Sequence, residues 1–223
     1  MKKFIVIGLG SFGTNVAKSL AQKGNEVVAI DDDDSTVDKI KSHVSEAIVA
    51  DATTLEVLTG IDVAHADAVI VGVGPNIESS ILIVHLLKRL NVKYIVAKAL
   101  SEEHFNILKI VGAHKVIYPE KDEAVRLANV LSARNLLDYI PLSEKYTLIE
   151  APCPERFWGK TIKTLDIRKG YNLLIVGIKD AGKNGDVEIP DPDDVLSRNH
   201  TLFIIGTQQD IGKFVEGIEP PNF

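Results

Sequence analysis

The chain is 223 residues long, with one cysteine, 45% hydrophobic residues and a net charge of −6 from 25 basic and 31 acidic side chains. One cysteine excludes an intramolecular disulfide scaffold. The acidic excess runs through both the first 140 residues and the remainder, so no basic module for a nucleic-acid backbone is expected. The longest apolar runs, such as Phe4–Gly10 and Ala68–Gly74, have strand length. A membrane-spanning helix needs roughly 20 apolar residues, so the chain is not expected to cross a membrane. Its opening, Met1-Lys2-Lys3-Phe4, runs into a strand without a signal-peptide cleavage pattern, and a cytoplasmic protein is the expectation.

In chain order, apolar runs predict strands at Phe4–Gly8, Glu26–Ile30, Glu46–Ala50, Ala68–Gly72, Lys93–Lys98 and Lys115–Tyr118. They are rich in Val and Ile and barely alternate in polarity, as strands buried on both faces do. Between them, helical periodicity predicts Phe12–Lys23, Ser35–Ser42, Leu55–Thr59, Ile77–Leu90, Glu102–Val111 and Asp122–Leu137. Gly24, Asn91 and Gly112 follow helices and tolerate left-handed cap geometry. Six β–α repeats imply an α/β fold, a Rossmann-like doubly wound parallel sheet over residues 1–140. Near Pro141 the pattern changes, and Leu142–Lys145 reads as a polar hinge. Strand-like runs follow at Tyr146–Glu150, Leu173–Ile178 and Thr201–Ile205, with a short helix at Gln208–Glu216. Residues 141–223 are therefore expected to form a small α+β domain.

The strongest motif is Gly8-Leu9-Gly10-Ser11-Phe12-Gly13, placed between the first strand and the first helix. This is the context of the dinucleotide fingerprint. Gly8 permits the tight turn, Gly10 leaves room for a pyrophosphate, and Gly13 lets helix and strand approach. The phosphates would sit on the helix N-terminus, whose unpaired N–H groups favour anions. Asp31 ends the second strand, where a carboxylate can accept hydrogen bonds from both hydroxyls of an adenosine ribose and repel a 2′-phosphate. Asp32 to Asp34 form a solvated acidic turn, with Asp34 or Ser35 the expected cap of the next helix. Asp51-Ala52-Thr53 follows the third strand and either reads the adenine edge or begins a helix capped by Thr53 or Thr54. Gly72 and Gly74, at the carboxyl edge of strand four, either admit a ligand or simply end the strand.

Reaction machinery is hard to find. Cys153 lies between two prolines without a cysteine partner, His200 has no carboxylate neighbour in sequence, and no histidine pair has HxxxH spacing. There is no GxSxG elbow and no Walker-type GK[ST] loop.

The succession GLGSFG, VVAID, ADAT, AVIVGVG, YIVAKALSEEH and GAHKVIYPE resembles the RCK (KTN) domain family. Beyond Tyr146, GKTIKTLDIRKGYNLLIVGI, the Pro190–Asp193 turn and HTLFIIGT resemble its companion C-terminal domain. The length is similar to the Ktr-type regulatory subunit of bacterial potassium uptake systems, whereas the duplicated Trk-type subunit is about twice as long. The resemblance implies a non-enzymatic cytoplasmic gating subunit. Such subunits form dimers that assemble into an octameric ring on a membrane-embedded potassium transporter, and bind an adenine nucleotide (NAD(H), ADP, AMP or ATP). Carried over by position, the phosphate loop falls on Gly8, Gly10, Ser11, Phe12 and Gly13, the ribose acid on Asp31, and the base contacts on Asp51 and Thr53. Lys98, ending strand five, either faces the phosphates or is a solvated lysine. Ser11 departs from the pattern, because ATP-responsive members often carry Arg there, and this leaves NAD(H), ADP or AMP open. Glu120 and Glu123 are candidate ligands for Ca²⁺ or Mg²⁺; as helix N-terminal acids they also suit the dipole. Some family members bind cyclic di-AMP through the C-terminal domain, but residues 146–217 show no specific pocket for it. The fingerprint alone also fits a small NAD-dependent oxidoreductase, or a scaffold with a structural nucleotide.

Overall fold

A computed structural model describes residues 1–74, 76–132, 136–182 and 185–215. The chain divides into two compact units, Met1–Glu120 and the part from Lys121 onward. In the first, six strands, β1 (Lys3–Ile7), β2 (Glu26–Asp31), β3 (Glu46–Val49), β4 (Ala68–Val71), β5 (Ile95–Lys98) and β6 (Lys115–Ile117), form one parallel sheet in the order β3-β2-β1-β4-β5-β6. Helices α1 (Ser11–Gln22), α2 (Asp34–Ile40), α3 (Leu55–Gly60), α4 (Ile77–Arg89) and α5 (Glu102–Val111) connect them. Two apolar clusters cover the sheet. One gathers Ile5, Ile7, Val69, Val71, Leu87 and Ile95; the other gathers Val6, Ala17, Val27, Ala29 and Ile40. Successive residues of one strand thus enter opposite clusters, which is why these strands are apolar throughout. Each fully buried Ile or Leu contributes about 1.5–3 kcal/mol to folding. Gly24, Asn91 and Gly112 do take positive φ behind α1, α4 and α5.

Strand order reverses between β1 and β4, so α1 and α4 diverge and open a crevice at the carboxyl ends of the strands, the usual ligand position in such sheets. Side chains cap most of the neighbouring helices: Asp33 caps α2, Thr54 α3, Asn76 α4 and Ser101 α5. Helix α1 differs: Gly10 is its N-cap and makes no side-chain cap hydrogen bond.

The final helix of the α/β series, α6 (Pro119–Ser132), begins earlier than periodicity predicts, with Pro119 in its first turn, where a missing N–H costs nothing. The predicted end of this helix, from 133 to 135, lies outside the described residues. The two compact units part at Glu120, ahead of the boundary expected at residue 140. Strand β7 (Asp138–Pro141) pairs antiparallel with β8 (Tyr146–Pro152), so the second sheet already begins ahead of residue 141. The expected hinge at Leu142–Lys145 is therefore the turn of a hairpin. Leu142 N–H donates to the Tyr146 carbonyl (2.9 Å), and Ser143 Oγ accepts from Tyr146 N–H (3.0 Å). The second sheet continues with β9 (Leu174–Asp180), β10 (Val187–Glu188) and β11 (His200–Thr207) in the order β10-β9-β11-β8-β7. Short helices α7 (Ile162–Leu165) and α8 (Ile167–Tyr171) and the later α9 (Gln208–Val215) accompany it. Its core is built around Ile149, Leu202, Ile204, Leu196 and Phe214, with Phe214 stacked tilted on Phe157 and edge-on to Tyr171.

Candidate functional site

The turn after β1 is shaped by backbone crowding. Gly8 has φ +88°, and a Cβ there would lie 2.6 Å from the Val73 nitrogen. Its N–H donates to the Ile30 carbonyl (2.8 Å), tying the turn to β2. A Cβ on Gly13 would collide with the Gly8 carbonyl oxygen, so glycine alone allows α1 to pack this closely on the turn. Gly72 is less tight: a Cβ there would lie 3.2 Å from the Gly8 oxygen and 3.3 Å from the Phe12 ring, so a neighbour would have to give by only a few tenths of an ångström. Gly10 is different, since a Cβ there meets nothing within 4 Å. Gly13 and Gly72 serve packing, whereas Gly10 keeps space open at an uncapped helix N-terminus, whose first N–H groups have no intrahelical acceptor.

That space is a cavity of about 360 Å³. Its lining includes Gly8, Gly10, Asp31, Asp32, Asp51, Ala52, Thr53 and Gly74, which sequence reasoning had singled out. It also includes Ile7, Ile30, Thr36, Ala50, Val73, Asn76, Ser79 and Ile83, which that reasoning had not placed there. The apolar members of this second group lie on strand ends, after β4 and on α4, and suit the faces of a planar ring. The signal for Asn76 was legible as a helix cap, since its Oδ1 accepts from Ser79 N–H (3.1 Å); its place in the cavity follows from the crevice between β1 and β4.

Asp31 is already tied into the loop. Leu9 N–H donates to Oδ2 at 2.6 Å and Asp33 N–H to Oδ1 at 3.0 Å. The carboxylate thus joins the end of β2 to the glycine turn and retains lone pairs for hydroxyl donors. A hydrogen bond to a charged group contributes about 1.5–3 kcal/mol, so Asp31 fixes the glycine turn as well as lining the cavity. The cap of α2 is Asp33, rather than the expected Asp34 or Ser35. Its carboxylate accepts from Ser35 Oγ (3.1 Å), Thr36 Oγ1 (2.9 Å) and Ser35 N–H (2.9 Å), and these bonds hold its carboxyl below the ordinary range. Asp51 and Thr53 pair with each other: the Thr53 hydroxyl (2.6 Å) and N–H (2.9 Å) both donate to Asp51 Oδ1 and lower its pKa. Thr54, not Thr53, caps α3.

Ser11, Phe12, Gly13 and Gly72 are not among the residues that line the cavity. Lys98 does not line the cavity either. Its Nζ pairs with Glu120 Oε1 at 2.5 Å and lies 6.0 Å from the Phe12 ring centroid, with the lysine side chain only 15% exposed. Of the two alternatives weighed for Lys98, the solvated side chain gives way to this ion pair. The metal reading of Glu120 and Glu123 meets the same obstacle. Glu120 is engaged by Lys98, and Glu123 holds Arg126 through both carboxylate oxygens (2.9 and 2.7 Å). Among the described residues no group of three or more His, Cys, Asp or Glu is placed to hold a metal.

In the second unit, His200 does have a carboxylate neighbour. Antiparallel pairing sets it opposite Asp180, with Nε2 3.9 Å from Oδ2, a contact invisible to sequence spacing. Cys153 is buried, and burial pushes its thiol pKa up to about 12, far from the range of a reactive thiolate.

A six-stranded parallel sheet, a glycine turn under an uncapped helix and an acid at the end of β2 define the Rossmann-like nucleotide-binding class. Comparison with known proteins carries this to a family. The TrkA-N domain matches residues 4–119 and the TrkA-C domain residues 147–216. The chain is 39% identical to Ktr system potassium uptake protein C of Bacillus subtilis, covering 96% of each chain. It is 36% identical to Ktr system potassium uptake protein A of the same organism, covering 96% of this chain and 95% of the relative. The chain belongs to this family of Ktr and Trk potassium-uptake proteins with RCK domains. Among solved structures, the GsuK channel bound to NAD shares the fold at 21% identity and a TM-score of 0.69. All of this chain is covered in that alignment, and it spans 40% of the channel chain. No helix among the described residues is long and apolar enough to cross a membrane.

Proposed function

We propose that this chain is the nucleotide-sensing, non-enzymatic gating subunit of a potassium uptake system. An adenine nucleotide occupies the cavity above β1, β2 and β4. Its phosphates lie on the N-terminus of α1, its ribose hydroxyls meet Asp31, and its base rests between apolar strand ends beside Asp51 and Thr53. The protein works at the cytoplasmic face, as a homo-oligomer that docks on a membrane-embedded potassium-transporting partner. The octameric ring expected of RCK proteins is the natural form of that assembly. A ligand that binds one conformation of the assembly better than another biases the partner; a tenfold preference corresponds to about 1.4 kcal/mol.

The observation that carries this reading is the conjunction of Gly10 and Asp31. The first leaves room at an uncapped helix end, and the second presents a carboxylate to the same cavity. The cavity is otherwise lined by apolar groups, hydroxyls, amides and carboxylates. These can hold and orient a nucleotide, but among the described lining residues none is an imidazole, thiol or amine. The experiment is potassium uptake in cells deleted for this chain and complemented by it. Wild-type protein is expected to restore nucleotide-responsive uptake and Asp31→Ala to fail while accumulating normally. Full restoration by Asp31→Ala would refute the reading.

A further inference from the structure

We infer that helix α6 is held on the second sheet by a charged clasp, Arg126 between Glu123 and Asp138, and that this clasp loosens as ionic strength rises. The inference goes beyond the nucleotide reading, because it holds whatever fills the cavity. It makes Arg126 a positioning residue for the helix that carries the chain from the first unit to the second sheet.

Helix α6 is thinly anchored. None of its described residues is buried, and beyond its first turn only Arg126, Asn129 and Val130 are half-buried. Their spacing places them on one narrow stripe, while Val125, Leu127 and Leu131 are exposed. Such a stripe removes little apolar area from water, so burial alone holds the helix weakly. Arg126 supplies what the stripe lacks. Its Nε and Nη2 donate to the two carboxylate oxygens of Glu123, on the same helix, at 2.9 and 2.7 Å. Its Nη1 reaches Asp138 Oδ1, at the start of β7, at 2.7 Å. That oxygen also accepts from Tyr139 N–H (2.7 Å), which fixes it to the strand backbone. β7 is in turn paired to β8, and Leu136 just ahead of it is buried in the second core. The clasp thus ties a loosely packed helix to a fixed point of the sheet.

The charges show why a cation is needed there. The bonds from Arg126 hold the Glu123 carboxyl below its ordinary value, while the Asp138 charge pushes the other way. Without the guanidinium, two like charges would face each other across the joint. Isolated exposed ion pairs contribute little, but a bidentate arginine in a network of three charges is the exception. The side chains of Arg126, Glu123 and Asp138 are 40%, 61% and 28% exposed, so dissolved salt can screen them.

The test is hydrogen exchange of the full chain, read on α6 peptides by mass spectrometry, with the well-buried α4 as internal reference. KCl is raised from about 0.1 M to about 1 M, which shortens the screening length from about 10 Å to about 3 Å. Wild-type α6 is expected to exchange about threefold faster at the higher salt, the size of effect an exposed charge network allows. Arg126→Met keeps an apolar stem without the charge. It is expected to exchange at least about threefold faster than wild type at low salt and to lose the salt response. Asp138→Asn keeps an acceptor for Tyr139 N–H and should fall between the two, whereas Arg126→Lys keeps the charge and should keep the salt response. Equal exchange of α6 in wild type and Arg126→Met would overturn the inference, and so would a salt response that persists in Arg126→Met or is absent from wild type. If Arg126→Met fails to fold, Asp138→Asn decides the question: a salt response as large as that of wild type would overturn the inference.

Discussion

The two sheets of this chain use the same apolar residue types to different ends. In the first unit the central strands β1, β2 and β4 are buried on both faces, so their ends, not their faces, remain available, and the cavity forms there. In the second unit the strands alternate: Thr147, Ile149 and Ala151 of β8 point inward while Tyr146, Leu148 and Glu150 stay partly or fully exposed. A sheet covered on one side has a core of its own and a free face, but nothing among its described residues converges as Gly10, Asp31 and Asp51 do. Function is therefore assigned to the loops of a doubly covered sheet, where rigid strands fix the loop positions. The glycines show the same contrast. A Cβ on Gly13 meets backbone, which cannot move without moving the fold. A Cβ on Gly206 in β11 meets the end of the buried Leu173 side chain, a side chain rather than backbone.

The sharpest way to break this division is to damage one unit and watch the other. Phe214 is fully buried against Phe157 and Tyr171. Phe214→Ala is expected to cost about 3–5 kcal/mol of stability, read by denaturant unfolding. Nucleotide affinity should stay within about twofold at low temperature, because no residue of the second unit lines the cavity. Next in size, Gly13→Ala is expected to cost about 1–3 kcal/mol through overpacking, while Gly206→Ala costs less in the same assay. Equal losses would remove the distinction between backbone and side-chain contacts. Gly10→Asp turns the comparison inward, to two glycines of one loop. An N-cap carboxylate suits the uncapped helix, so stability should hold or rise by only about a few tenths of a kcal/mol, since Gly is itself a fair N-cap. Calorimetry should then show nucleotide binding weakened at least about tenfold, since the new side chain takes the phosphate's place.

The smallest expected effect is a pH dependence. Thr53 holds the Asp51 carboxyl below its ordinary value. A group lowered in this way stabilises the folded state fully above its unfolded pKa, and the contribution is lost as pH falls through the lowered folded pKa. The site is exposed, so the amount is less than about 1 kcal/mol. Melting curves of wild type and Asp51→Asn should differ near neutrality and converge in acid below the ordinary carboxylate range. Curves that remain parallel there would remove Asp51 from the ledger.

Much of the first unit was legible in the sequence because local and global signals agree. The Val- and Ile-rich runs, the caps and the glycine turn each specify the same elements, so β1 to β6 and α1 to α5 fall within a few residues of their expected bounds. The second unit was less legible for a physical reason. β7 is a short edge strand ending in Pro141, and Pro at a sheet edge looks like a hinge when only composition is read. At the site, residues adjacent to motifs were found and residues joined by topology were not. Thr36 belongs to α2, and Asn76 and Ser79 to the start of α4, and the two helices come together only at the crevice. Lys98 and Glu120 lie far apart in sequence, and parallel pairing of β5 with β6 is what brings them together. The resemblance in motif pointed Lys98 toward the phosphates; its ion pair with Glu120 became visible only in three dimensions.

The most direct test of the account is calorimetric titration of the full chain with NAD⁺, beside Asp31→Ala and Asp31→Asn. Wild type is expected to bind saturably, one nucleotide per chain. Asp31→Ala should weaken binding at least about tenfold, by roughly 1.4 kcal/mol or more. Asp31→Asn keeps an acceptor for Leu9 N–H and should fall between the two. Failure of the wild-type chain to bind, or unchanged affinity in Asp31→Ala, would contradict the claim that this cavity is a nucleotide sensor.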